Sequence, residues 1–173
     1  LMQTRIVNNP GFIVALKDIT VLCIDNDPDV LSGMVELLSA WQCNILAADS
    51  RETALEEFTN HSNEIDILLV DYQLGYRTDS RTNNQTDSRV DSQGEDRQRK
   101  QVDGLTLIKD LRSRGHHSLP AILITATTEP GIEEKAKSYD VGYMRKLVKP
   151  AALRAMMSAA LAKKLQADYV GYS

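Results

Sequence analysis

Five short apolar runs recur along the chain, each separated from the next by an amphipathic or charged stretch. They lie at residues 21–24, 45–48, 65–70, 121–125 and 143–148. Each is bounded by turn residues or charges, as buried strands are. The intervening stretches follow a helical period. Val30, Met34, Leu37, Leu38 and Trp41 mark a helix over 29–41, with Asp27 as its N-cap and Pro28 at the first helical position. Leu55 and Phe58 share one face of a helix over 52–58, and Leu105, Leu107, Ile108 and Leu111 mark another that ends near Gly115. A mostly charged helix is predicted over 129–139. Pro150 opens the last, with Leu153, Met156, Met157, Ala160 and Leu161 facing inward. Strand and helix that alternate five times imply an α/β domain, a doubly wound parallel sheet with right-handed crossovers. Ligands of such sheets bind outside the carboxyl ends of the strands.

Composition permits one packed domain with appendages. The chain has 173 residues, 42% of them hydrophobic and 25% charged, enough for a single core. A net charge of −4 argues against a general nucleic-acid or anionic-membrane binder. No apolar run approaches the roughly 18 residues of a membrane span, and no signal peptide opens the chain. Cys23 and Cys43 both lie in apolar surroundings and read as buried free thiols of a reducing compartment. The chain starts at Leu1, as expected of a fragment of a longer protein.

Three segments fall outside the alternation. Residues 1–18 read as an N-terminal linker from which Phe12, Ile13, Val14 and Leu16 are available to dock; residues 169–173 read as a tail. Residues 76–101 interrupt the domain, which otherwise spans 19–168. Apart from Tyr76 and Val90 this insertion is polar, with six basic against five acidic residues, and Thr-Asp-Ser-Arg occurs in it twice, at 78–81 and 86–89. It holds almost nothing to bury, so disorder is the expectation, with Arg97, Arg99 and Lys100 as a solvated basic cluster.

The strand ends carry the chemistry. The first strand delivers Asp25, Asn26 and Asp27, the third Asp71, the fourth Thr125, and the fifth is expected to deliver Lys149 before Pro150. Clustered carboxylates repel unless a cation neutralises them, and an all-oxygen donor set suits Mg²⁺. A hydroxyl and an ammonium beside them suit the oxygens of a tetrahedral anion, so the set fits phosphoryl transfer to or from a carboxylate. No Gly-x-Gly-x-x-Gly or Walker loop is present for ATP. His61, His116 and His117 read as surface residues.

Val-Leu-Cys-Ile-Asp-Asn-Asp-Pro, Leu-Leu-Val-Asp-Tyr, Ile-Leu-Ile-Thr-Ala and Val-Lys-Pro, in this order, resemble the receiver domain of two-component response regulators. The resemblance implies a flavodoxin-like (βα)5 fold with a five-stranded parallel sheet. It implies Asp71 as phosphoacceptor, Asp25, Asn26, Asp71 and the Gln73 main-chain carbonyl as Mg²⁺ ligands, and Thr125 and Lys149 as the groups that hold the phosphoryl oxygens. It further implies a histidine kinase core, in cis or in trans, or a histidine phosphotransfer protein as partner, and a cytoplasmic location. Such a domain promotes its own aspartyl phosphorylation and dephosphorylation. The finer wording, Ile-Asp-Asn-Asp-Pro and Lys-Pro-Ala-Ala-Leu-Arg, is similar to receivers at the C-terminus of hybrid sensor histidine kinases, where a cytoplasmic domain follows a membrane-bound sensor.

Three departures from the family pattern stand out. Asn26 removes a negative charge where many members carry an acid. The insertion enters directly after Gln73-Leu74-Gly75, ahead of Asp103-Gly104. Lys146 falls where many receivers place an aromatic switch residue. Two other functions stay open: a receiver-like binding module that is never phosphorylated, and a haloacid-dehalogenase-type phosphatase with Asp25 as nucleophile. The latter needs an acidic motif after the lysine, where only Asp168 remains.

Overall fold

The computed structural model describes residues 14–75, 103–115 and 118–170. Five parallel strands form one sheet: β1 (Thr20–Ile24), β2 (Asn44–Ala48), β3 (Ile67–Asp71), β4 (Ala121–Thr125) and β5 (Gly142–Arg145). Their order is β2-β1-β3-β4-β5, all neighbours parallel. The helices α1 (Pro28–Ala40), α2 (Arg51–His61), α3 (Gly104–Ser113), α4 (Ile132–Ser138) and α5 (Pro150–Val170) follow the strands in turn. This is the flavodoxin-like doubly wound (βα)5 architecture that the alternation implies.

Alternation along each strand sorts the core into two layers. Leu22, Ile24, Leu68, Val70 and Leu123 point to the side of α2, α3 and α4, where they meet Phe58, Leu107, Ile108 and Ala136. Val21, Cys23, Ile67, Leu69 and Ile122 point the other way, onto Met34 and Leu38 of α1 and Leu153, Met157 and Leu161 of α5. Because both faces are covered, the strands are continuously apolar. Local signals agree. The Asp27 carboxylate accepts the amides of Asp29 and Val30 at the head of α1, and Ser50 with Thr53 forms a capping box on α2.

Three boundaries differ from expectation. Residues 14–18, read as linker, belong to the packed domain: Leu16 is 2% exposed in the α1–α5 layer, and the Ser158 hydroxyl donates to the Val14 carbonyl at 3.0 Å. Helix α5 continues through the start of the expected tail. Strand β5 ends at Arg145, not at 148, because its last rung pairs Arg145 with Thr125 and the chain then turns outward. The insertion at 76–101, with its basic cluster, and His116 and His117 lie outside the described residues. Among the described residues no helix is long and apolar enough to cross a membrane.

Candidate functional site

The chain leaves β1 for β2 on one side and returns to β3 on the other, so the strand order reverses at the carboxyl ends of β1 and β3. Asp25 follows β1 and Asp71 ends β3. Both side chains are almost fully buried, at 4% and 5% exposure. Main-chain bonds fix them: the Asp25 amide donates to the Ala48 carbonyl at 3.1 Å, and the Tyr72 amide to the Ile124 carbonyl at 2.8 Å. The Asp25 Oδ1 accepts the Asp27 amide at 3.0 Å, and the Asp71 Oδ2 accepts the Gln73 amide at 2.9 Å. Each carboxylate thus spends one oxygen on the backbone and holds the other towards the cleft.

Lys146 fills the space between those free oxygens. Its Nζ lies 2.8 Å from Asp25 Oδ2 and 2.9 Å from Asp71 Oδ1. The residue directly follows β5, and its amide donates to the Thr125 carbonyl at 2.8 Å. Lys149, expected in this role, is exposed at the start of α5, where its carbonyl accepts the Leu153 amide. The correction has a simple cause. The apolar run continues to residue 148, three residues past the last strand pair, and so displaces the expected lysine to 149 and the aromatic position to 146. With the lysine at 146, the residue three positions earlier is Tyr143, a partly buried aromatic on the α2–α4 side of the sheet.

Thr125 is fully buried at the end of β4. Its Oγ1 accepts the Thr127 amide at 3.1 Å, and a hydroxyl that accepts in this way keeps its own proton to donate. Asp27 serves as the α1 cap and not as part of the acidic pair. Asn26 is exposed on the cleft rim, and a Cβ built on Gly75 (φ +79°) would lie 3.3 Å from its Nδ2, so the amide rests against the loop that carries Gln73. That loop returns through an antiparallel bridge between Gln73 and Asp103. At Gly104 a Cβ would come within 2.1 Å of the Asp71 carbonyl oxygen, so only glycine allows α3 to start this close to the end of β3.

Electrostatics follow burial. Desolvation pushes the Asp71 carboxyl above its ordinary value, and the Asp25 charge adds to this, against the Lys146 ammonium and the Gln73 amide. Burial alone would lower Lys146, but its hydrogen bonds and attraction to Asp25 and Asp71 outweigh that and raise it.

One ammonium touches both carboxylates, so a single cation can bridge them; this is the observation on which a metal fits. Among the described residues no three His, Cys, Asp or Glu side chains converge. A cation here would rest on Asp25 and Asp71, completed by neutral oxygens from Asn26 and the Gln73 carbonyl, the donor set that suits Mg²⁺.

No family model matches the chain, and no curated protein matches it. Solved structures do. A response regulator receiver domain protein from Clostridium thermocellum superposes over 86% of this chain and 98% of its own, with a TM-score of 0.65 at 19% identity. The signal receiver domain of an HD domain-containing protein from Pseudomonas fluorescens Pf-5 covers 87% and 99%, with a TM-score of 0.64 at 19% identity. This chain has the receiver-domain fold. A third neighbour comes from a CheX–CheY–BeF3–Mg²⁺ complex of Borrelia burgdorferi, at 17% identity, 83% and 90% coverage and a TM-score of 0.60. In this receiver fold the acidic pair, Thr125 and Lys146 converge on the crevice where the strand order reverses.

Proposed function

We propose that the chain is a phosphoacceptor receiver module of a two-component phosphorelay. The observation that carries this is the bridge from Lys146 to both Asp25 and Asp71, with buried Thr125 on the adjacent strand. Burial leaves the Asp71 carboxylate more basic and poorly solvated, hence a better nucleophile. One of its oxygens attacks the phosphorus of a phosphohistidine. The P–O bond forms as the P–N bond breaks, and its electron pair returns to the imidazole nitrogen. Thr125 donates to one phosphoryl oxygen and Lys146 leaves the carboxylates to pair with another. Bound Mg²⁺, held by Asp25, Asp71, the Asn26 side-chain oxygen and the Gln73 carbonyl, would supply the positive charge that offsets the crowded oxygens.

Release of Lys146 and Thr125 towards the phosphoryl group alters the β4 and β5 ends, and Tyr143 is the aromatic placed to respond. The phosphodonor would be a histidine kinase core, in cis or in trans, or a histidine phosphotransfer protein, consistent with a cytoplasmic receiver of a hybrid histidine kinase. Mg²⁺-dependent labelling by a small acyl phosphate, or capture of beryllofluoride, tests the reading. Label on Asp71 supports it. Label on Asp25 would point to a haloacid-dehalogenase-type phosphatase, and no label to a binding module that is never phosphorylated.

A further inference from the structure

Strand β2 forms one edge of the sheet, with β1 on one side and no strand among the described residues on the other. Its residues, Asn44-Ile45-Leu46-Ala47-Ala48, include no charge, proline or bulge, the usual devices that keep an open edge from pairing. The opposite edge, β5, ends on the exposed charge of Arg145. Asn44 and Ala47 are exposed, and Ile45 and Leu46 are only half-buried, so no described element covers β2 along this edge.

The β1–β2 register fixes where the main-chain groups point. The Asn44 amide donates to the Ile19 carbonyl at 2.9 Å, and the Ala48 carbonyl accepts the Asp25 amide at 3.1 Å. Alternate residues of a strand aim these groups to opposite sides, so 44, 46 and 48 face β1. Ile45 and Ala47 therefore present their amides and carbonyls to the open edge, where no described residue bonds them. Such unpaired groups are a template for a further strand. The two open residues lie symmetrically about Leu46, which makes the edge its own complement. An antiparallel copy centred there sets Ile45 opposite Ala47 and Ala47 opposite Ile45, and each pair exchanges both of its hydrogen bonds. Leu46 then meets its counterpart in the second copy as a non-hydrogen-bonded pair, the arrangement that brings side chains closest.

We infer that β2 joins two copies of this chain into one continuous sheet, about a two-fold axis through Leu46. Helix α1 lies over both β1 and β2. One added strand spacing of about 4.8 Å then sets the two α1 axes about 10 Å apart, an ordinary helix-packing distance. The exposed residues of α1 include Ser32, Gly33, Ser39 and Ala40, whose small side chains permit that approach. On the other face α2 also lies over both strands and exposes Glu52 and Glu56. These like charges oppose each other across the axis, so association is weak and tightens as salt screens them. A foreign strand would gain the same main-chain bonds, but only a second copy adds Leu46 against itself and α1 beside α1. The contact uses none of the crevice residues and does not rest on the phosphoacceptor reading.

Sedimentation equilibrium and amide hydrogen exchange of the full chain, compared at about 50 μM and about 1 mM, span the range of a weak contact. A dimer is expected at the higher concentration, with exchange of the Ile45 and Ala47 amides slowed about threefold or more. The Leu46 amide, bonded to β1, should change little. Ala47→Pro removes an amide that the single chain does not use and should abolish the dimer. Ala47→Lys leaves the backbone intact and should weaken it about tenfold or more; it carries the test if the proline variant fails to fold. Asp71→Asn should dimerise as the parent does. The inference is overturned if the chain stays monomeric, or if it dimerises while both amides exchange as in dilute solution. It is equally overturned if folded Ala47→Lys dimerises normally. Protection of both amides that does not vary with concentration also overturns it, since a segment of the same chain would then cover the edge.

Discussion

Lys146 carries the charge balance of the crevice, and the acidic pair depends on it. Removing one partner of a buried ion pair leaves an uncompensated charge and costs about 3–5 kcal/mol. Lys146→Met should lower stability on that scale and slow phosphoryl uptake about 10²-fold, whereas Lys149→Met should change neither, as unfolding and labelling rates will report. Asp71→Asn has the opposite stability sign. The folded-state carboxyl lies above its unfolded value, so its stabilising share is present only at low pH and is lost as pH rises through the folded value. At neutral pH the charge is a net cost; the amide should therefore raise the melting temperature while abolishing labelling. The gain should shrink as the pH falls towards the carboxylate range. A lower melting temperature of Asp71→Asn at neutral pH would contradict this. Asn26→Asp restores a charge at the rim and should tighten Mg²⁺, measured by calorimetry, about tenfold, a modest Coulomb effect at an exposed position.

Among the elements, legibility tracked burial. The four strands bounded by real turns were readable from their apolar runs, because both faces of this sheet are covered. The fifth was not. Leu147 and Val148 prolong the run past the last strand pair, yet Leu147 is 94% exposed, so apolar character there marks a connector and not a strand. Pro150 correctly signals the helix start, but it hides the turn between Lys146 and α5. The same blindness applied to α4, where Gly131 at φ +88° starts the helix later than the charged run suggests. Residues 14–18 carry no periodic apolar pattern to mark them; buried Leu16, partly buried Val14 and main-chain bonds anchor them. Leu16→Ala should cost about 2–4 kcal/mol, the usual toll of emptying a buried leucine position, and lower the melting temperature accordingly. A loss below about 0.5 kcal/mol would show that the segment does not contribute to the core.

At the scale of the whole molecule, the receiver fold tolerates an interruption beside Asp71 because the described residues at both ends of the interruption are held independently. Gln73 and Asp103 pair across the gap, the Gly104 amide donates to the Tyr72 carbonyl at 2.8 Å, and Asp103 caps α3 through the Thr106 amide at 2.7 Å. The described contacts that set the Asp71 geometry therefore come from residues on either side of 76–101. Loop closure supplies the remaining term. A connection shortened from about 30 to about 5 residues regains at most about 1.6 kcal/mol of closure entropy. Replacing 76–101 with a short glycine-containing turn should thus preserve or slightly raise the melting temperature and leave Mg²⁺ affinity unchanged. The segment borders Gln73 and the crevice mouth, so its removal should register in the lifetime of the aspartyl phosphate or in the choice of phosphodonor. Thermal unfolding, calorimetry and the decay of label on the shortened chain check the three parts separately. A shortened chain that fails to fold would mean that the segment contributes packing the flanking bridge cannot replace.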